Sequence, residues 1–161
     1  MEEIIAKIDT QEKIENIMEY FKEDLASLKQ GKLYRVRMAE KFFVNGVVIE
    51  ISDKDNLHYP GIIGFVAFYC NNFENKIAYI SMLAVKGNVR CKGFGHKLLR
   101  EAEIISLNQG METIQLEVMK ANTNAIKFYE KNNYILHETK EESFIYTKKL
   151  NLCADIGKIQ D

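Results

Sequence analysis

The 161 residues are 47% hydrophobic and 28% charged, enough apolar material for one ordinary globular domain with a sizeable core. A formal net charge of −1 and the lack of any dense Lys/Arg block exclude a global electrostatic pull toward nucleic acid or anionic lipid. No apolar run reaches spanning length and the N-terminus MEEII is acidic, unlike a signal peptide. Cys70, Cys91 and Cys153 are odd in number and lack CxxC spacing, so the expectation is a cytoplasmic protein with reduced thiols, away from membranes and nucleic acid.

Residues 2–8 (EEIIAKI) are short and apolar and predict an edge strand. Asp9, with Glu12 as third helical residue, forms a capping-box pattern. Ile14, Ile17, Met18, Phe21, Leu25 and Leu28 then recur at three- and four-residue steps, predicting one helix that runs to Gly31. Residues 35–44 predict a second helix, ended by Gly46, and 47–51 (VVIEI) a strand. The turn-forming run 53–56 and the sole proline, Pro60, precede two further strands over 61–70 and 76–85, making a three-strand meander. The period then changes: Leu98, Leu99, Ala102 and Ile105 predict a helix over 95–109, with Gly110 as its left-handed cap. Strict alternation over 113–119 (TIQLEVM) predicts a strand. Asn122 can cap another helix, Asn133 can turn at positive φ, and 134–139 and 143–150 pair as a closing hairpin about a charged turn. The order gives an α/β fold, a mixed and mostly antiparallel sheet flanked by helices, as one domain over 1–161.

Between the strand ending at Val85 and the next helix lie Arg90, Cys91, Lys92, Gly93, Phe94 and Gly95. A glycine turn entering a helix offers free N–H groups and the positive end of the helix dipole, a setting for a phosphate. Neither GxxxxGK[ST] nor GxGxxG fits, so nucleotide hydrolysis and hydride transfer lose support. What remains is R-x-x-G-x-G after a strand ending LAV. Downstream, NTNAIKFYEKNNY places Asn122, Ala125, Phe128, Tyr129, Glu130, Lys131 and Tyr134 in the pattern N-x-x-A-x-x-F-Y-E-K-x-G-F, with Asn133 in the place of glycine. Together the two segments resemble the GNAT superfamily of acetyl-CoA-dependent N-acetyltransferases, with the motif-bearing core over about 61–150.

The resemblance implies a GNAT-like fold in which the strand over 76–85 splays from that over 113–119 at the acetyl-CoA site. It places the pantetheine arm on the backbone of Leu83, Ala84 and Val85, with Asn122 and Ala125 at the start of the second motif helix. The pyrophosphate falls to the N–H groups of 91–95, with charge from Arg90 or Lys92 and with His96 at the helix start. It makes Tyr129 the general acid. Glu117, the charged residue on the polar side of its strand, is the candidate base for a primary amine acceptor. It also implies a homodimer. A rival reading is a module that binds acetyl-CoA without turnover. His58 and His137 have no partners at ligand spacing, and no metal is expected. Residues 10–44 and 134–150 do not name the acceptor, and 151–161 have no functional assignment.

Overall fold

In the computed structural model, which describes residues 2–55 and 61–151, apolar alternation and helical periodicity resolve into eleven labelled elements. They are β1 (Glu3–Lys7), α1 (Gln11–Tyr20), α2 (Lys32–Asn45), β2 (Val47–Asp53), β3 (Ile62–Asn72), β4 (Ile77–Val85), α3 (Phe94–Asn108), β5 (Thr113–Met119), α4 (Thr123–Lys131), β6 (Ile135–Thr139) and β7 (Ser143–Lys149). The seven strands are ordered β1-β2-β3-β4-β5-β7-β6. β4 and β5 are parallel, while β1–β2, β2–β3, β5–β7 and β6–β7 are antiparallel. This is the mixed, mostly antiparallel sheet expected, with β1 at an edge. Pro60, His58 and Cys153 lie outside the described residues.

The chain divides into two compact units, Met1–Tyr69 with Ser81–Ala102, and Cys70–Ile80 with Glu103–Asp161. In the first, Ile14, Ile17 and Met18 of α1 and Ala39 and Phe42 of α2 are buried with Val48 of β2, Phe65 and Ala67 of β3, and Met82 and Ala84 of β4. Phe21 meets Phe65 edge-on at 5.1 Å, and Phe42 stacks on Tyr69 at 4.9 Å. Gly64 of β3 is required by close approach, since a Cβ there would stand 2.6 Å from the Ala84 carbonyl and 3.0 Å from Leu98.

Three local expectations are corrected in this unit. The cap of α1 is Thr10, whose hydroxyl accepts from the Lys13 N–H at 3.3 Å, while Asp9 binds the Lys13 ammonium at 2.8 Å. The chain is still bonded to β2 through Ile8 N–H and Val48 O, so the helix begins one residue later than the capping-box pattern places it. The predicted single helix to Gly31 instead ends at Tyr20 and gives way to a 3-10 turn over Ala26–Gln30. The Tyr20 carbonyl, which a continuing α-helix would offer to Asp24 N–H, accepts instead from the Lys86 ammonium at 2.6 Å. Leu25 and Leu28 follow helical spacing but reach the core from this turn. α2 is longer than expected, because Gly31 at φ 112° starts it three residues earlier.

In the second unit the β4–β5 ladder runs from Ile77–Thr113 to Ile80–Leu116, and β5 pairs along its length with β7. Ile114, Leu116 and Val118 are buried, while Glu117 and Met119 are exposed, as the alternation predicts. Tyr134 is buried and donates to Glu103 at 3.1 Å, and Lys148 binds the same carboxylate at 2.9 Å. Gly110 at φ 89° ends α3, and Asn133 takes φ 68°, the left-handed conformation that asparagine tolerates.

Candidate active site

In the first unit the buried side chains of Met82 and Ala84 anchor the end of β4, with Leu83 and Val85 half-buried in alternation with them. The chain then passes through a 3-10 turn over Gly87–Val89 to the loop at 90–93 and enters α3 at Phe94. Phe94 is buried and pins the helix start, whereas Arg90, Cys91, Lys92, Gly93 and His96 are exposed. Cys91 has φ 64° and Gly93 φ 85°, two left-handed turns within three residues that curl the main chain. α3 first closes through Lys97 N–H to Gly93 O at 3.1 Å, and the N–H groups of Phe94 and Gly95 ahead of it have no hydrogen-bond acceptor among the described residues. A Cβ on Gly93 would meet nothing within 4 Å. An open space beside the Phe94 and Gly95 N–H groups at a helix N-terminus fits a pyrophosphate.

The two loop cations differ. Arg90 turns back, its Nε donating to Val85 O at 3.0 Å and a terminal nitrogen lying 3.7 Å from Asp24. Lys86 also binds Asp24, at 2.8 Å, with its ammonium 3.8 Å from the centroid of the Tyr20 ring. Lys92 has no ion pair among the described residues, so it is the loop cation available to an anion. Sequence reasoning missed Asp24 and Lys86: they are 62 residues apart and neither belongs to a motif.

In the second unit Asn122 caps α4, its Oδ1 accepting from Ala125 N–H at 3.2 Å. Its amide nitrogen keeps two donors for other partners, whereas the Ala125 N–H is used. Tyr129 is 9% exposed, with its ring edge-on to Phe128 and to Tyr134 at 5.2 and 5.7 Å. Burial pushes its phenol up to about 12. No hydrogen bond reaches its hydroxyl among the described residues. Glu117 accepts from the Ser143 hydroxyl and, at 3.3 Å, from the Lys140 ammonium. Ser143 lies opposite Met119, diagonal to Glu117 on the β5–β7 ladder, which is within side-chain reach. The Ser143 hydrogen bond, then Lys140, holds the Glu117 carboxyl below its ordinary value. These two partners were not anticipated; both lie around the charged turn, whose pairing register the sequence does not specify. Among the described residues no group of three His, Cys, Asp or Glu side chains could hold a metal ion, and no helix is long and apolar enough to cross a membrane.

Several solved structures share this fold. The PaiA N-acetyltransferase of Thermoplasma acidophilum, solved with coenzyme A, is 21% identical, with 92% of this chain and 99% of that one covered at a TM-score of 0.74. Arabidopsis thaliana NAA60, solved with acetyl-CoA, is 15% identical over 93% and 99% of the chains, with a TM-score of 0.74. An N-acetyltransferase from Staphylococcus aureus Mu50 is 16% identical over 94% and 100%, with a TM-score of 0.72. No curated protein matches the chain in sequence. The family model described as acetyltransferase (GNAT) family matches residues 8–134, most of the chain, and the protein therefore belongs to the GNAT acetyltransferase family.

Proposed function

We propose that the protein transfers the acetyl group of acetyl-CoA directly to a primary amine. The observation that carries this reading is the loop before α3: two left-handed residues, an open cradle at Gly93 and the unpaired N–H groups of Phe94 and Gly95. Bound acetyl-CoA would supply an activated thioester, whose C–S bond breaks as the new N–C bond forms, with one proton passing in net from nitrogen to sulfur. The main chain of 91–95 would hold the pyrophosphate and Lys92 would add charge. The backbone of Leu83, Ala84 and Val85 and the amide of Asn122 would hold the pantetheine arm, with the small side chain of Ala125 leaving room for it. Tyr129 would keep its proton at Oη and donate toward the leaving sulfur, and Glu117 would take the proton of the incoming ammonium.

Gly93→Val tests the carrier of the assignment. A β-branched residue resists φ 85° and would fill the open side of the turn. The acetyl-CoA dissociation constant measured by calorimetry is expected to rise at least about tenfold. An unchanged constant would remove the loop from the site.

One observation favours a module that binds acetyl-CoA without turnover: a carboxylate already bonded to Ser143 and Lys140 is a weak base. Glu117→Gln separates the cases. A lowered carboxyl pKa leaves Glu117 ionised across the working range, so a base role predicts the largest loss of kcat/KM at low pH, where the acceptor is most protonated. A uniform loss accompanied by a lower melting temperature assigns Glu117 to hairpin anchoring. Tight acetyl-CoA binding with no CoA release over a broad amine panel establishes the module.

A further inference from the structure

Beneath α1 in the first unit lies a cavity of about 480 Å³, within the size range of small-molecule sites. Its apolar walls include Ile17 and Ile62, and its polar lining includes Asn16, Tyr20, Ser52 and Glu50. The β2–β3 register shifts between Ile51 and Ser52, at the cavity wall, and such irregularities re-aim side chains next to sites.

The charges lining this cavity are unequal in their commitments. Lys13 is bonded to Asp9 at 2.8 Å, and Glu19 is paired with Lys22 and, at 2.7 Å, with Arg35. Glu50 has no hydrogen bond or ion pair among the described residues. Burial raises its carboxyl pKa, and Lys13 offsets this only through space. A half-desolvated carboxylate without a partner costs stability, which a cationic ligand would restore.

The position matters as much as the charge. Glu50 pairs with Phe65, and the next pair, Ile51 with Gly64, abuts the Ala84 carbonyl. The cavity wall at Glu50 is thus two strands, about 10 Å, from the end of β4 where the proposed reaction places its thioester contacts. Tyr20 at the cavity edge carries the Lys86 ammonium on its ring, tying α1 to the segment after β4.

We propose that this cavity is the acceptor pocket and that it selects small aliphatic amines bearing a second ammonium group, with Glu50 as the counter-charge. The inference rests on the acetyl-transfer reading, which supplies the chemistry at the other nitrogen. One amine is seated as a cation against Glu50, with Asn16 and Ser52 as further hydrogen-bonding groups, and the aliphatic stem lies along Ile17 and Ile62.

The test uses the full chain and linear diamines from diaminopropane to diaminohexane, each against the monoamine of equal length. The best diamine is expected to exceed its monoamine by about tenfold or more in kcat/KM. Glu50→Gln is expected to bring that ratio near one through KM, and to weaken calorimetric binding of the same diamine to CoA-loaded protein about tenfold. The same substitution removes a desolvated charge, so the unliganded variant should melt no lower than the parent, whereas a structural role for Glu50 would lower its melting temperature. A ratio near one in the parent protein, or a preference that survives Glu50→Gln, overturns the assignment. If acetyl-CoA binds but no amine turns over, the transfer reading fails, and diamine calorimetry still decides whether Glu50 holds a cation.

Discussion

Tyr129→Phe is expected to lower kcat by about two orders of magnitude or more, the usual contribution of a positioned proton donor, while the acetyl-CoA dissociation constant changes less than about threefold. The substitution removes one hydroxyl and keeps the ring that packs on Phe128 and Tyr134. Since no hydrogen bond within the described structure reaches that hydroxyl, its loss strands no protein group, and the melting temperature should be equal or slightly higher. A phenol raised to about 12 by burial stays protonated throughout the working range. Ionisation of Tyr129 should therefore produce no falling limb in the kcat profile below about pH 10. Against a free thiol near 8.5 such a phenol is a reluctant acid, so its main contribution would be an O–H hydrogen bond to charge developing on sulfur. A wild-type kcat in Tyr129→Phe would end the acid assignment and leave Tyr129 as a core aromatic. Measuring kcat by single-turnover acetyl transfer separates this result from slow product release.

The parts of the fold legible from sequence were those fixed by local chemistry. Alternation over TIQLEVM placed β5 to the residue, and Asn122 and Asn133 took the cap and the left-handed turn expected of asparagine. The helix that broke early shows the limit: Leu25 and Leu28 keep helical spacing, yet Lys86 removes the Tyr20 carbonyl from the helical ladder from far along the chain. A periodic pattern records which residues face the core and does not record a donor arriving from elsewhere. The candidate site divides in the same way. Gly93 and the helix after it were legible because glycine spacing carries backbone geometry, but the left-handed turn at Cys91 was not, since cysteine has no preference for it. The roles of the loop cations were also hidden: R-x-x-G-x-G names Arg90, while the side-chain contacts commit it to Val85 and Asp24 and leave Lys92 available. Glu50 reads in the sequence as one polar position in a strand, and its lack of a partner follows only from packing.

The largest loss of stability is expected from Glu103→Gln in the second unit. Glu103 is 3% exposed and receives the Lys148 ammonium at 2.9 and 3.0 Å and the Tyr134 hydroxyl at 3.1 Å. Glutamine preserves the shape and can still accept from Tyr134, but it leaves the Lys148 ammonium, only 18% exposed, without its counter-charge. Breaking one side of a buried pair costs about 3 kcal/mol, far more than an exposed ion pair returns. For a chain of this size that lowers the melting temperature by about 6–12 °C. The exposed pair Lys54 with Glu2 serves as the contrast, since its removal should shift the midpoint by about 2 °C or less. The double variant Glu103→Gln with Lys148→Met tests the cause, because removing both charges should recover most of the loss if the unpaired ammonium is responsible. Tyr134 adds a pH signature. Burial, with Glu103 beside it, raises its phenol well above 10, so its contribution to stability is full below the unfolded value near 10 and declines as pH rises beyond that. Tyr134→Phe should therefore flatten the fall in melting temperature above about pH 10, and an unchanged alkaline slope would show that Tyr134 does not govern it.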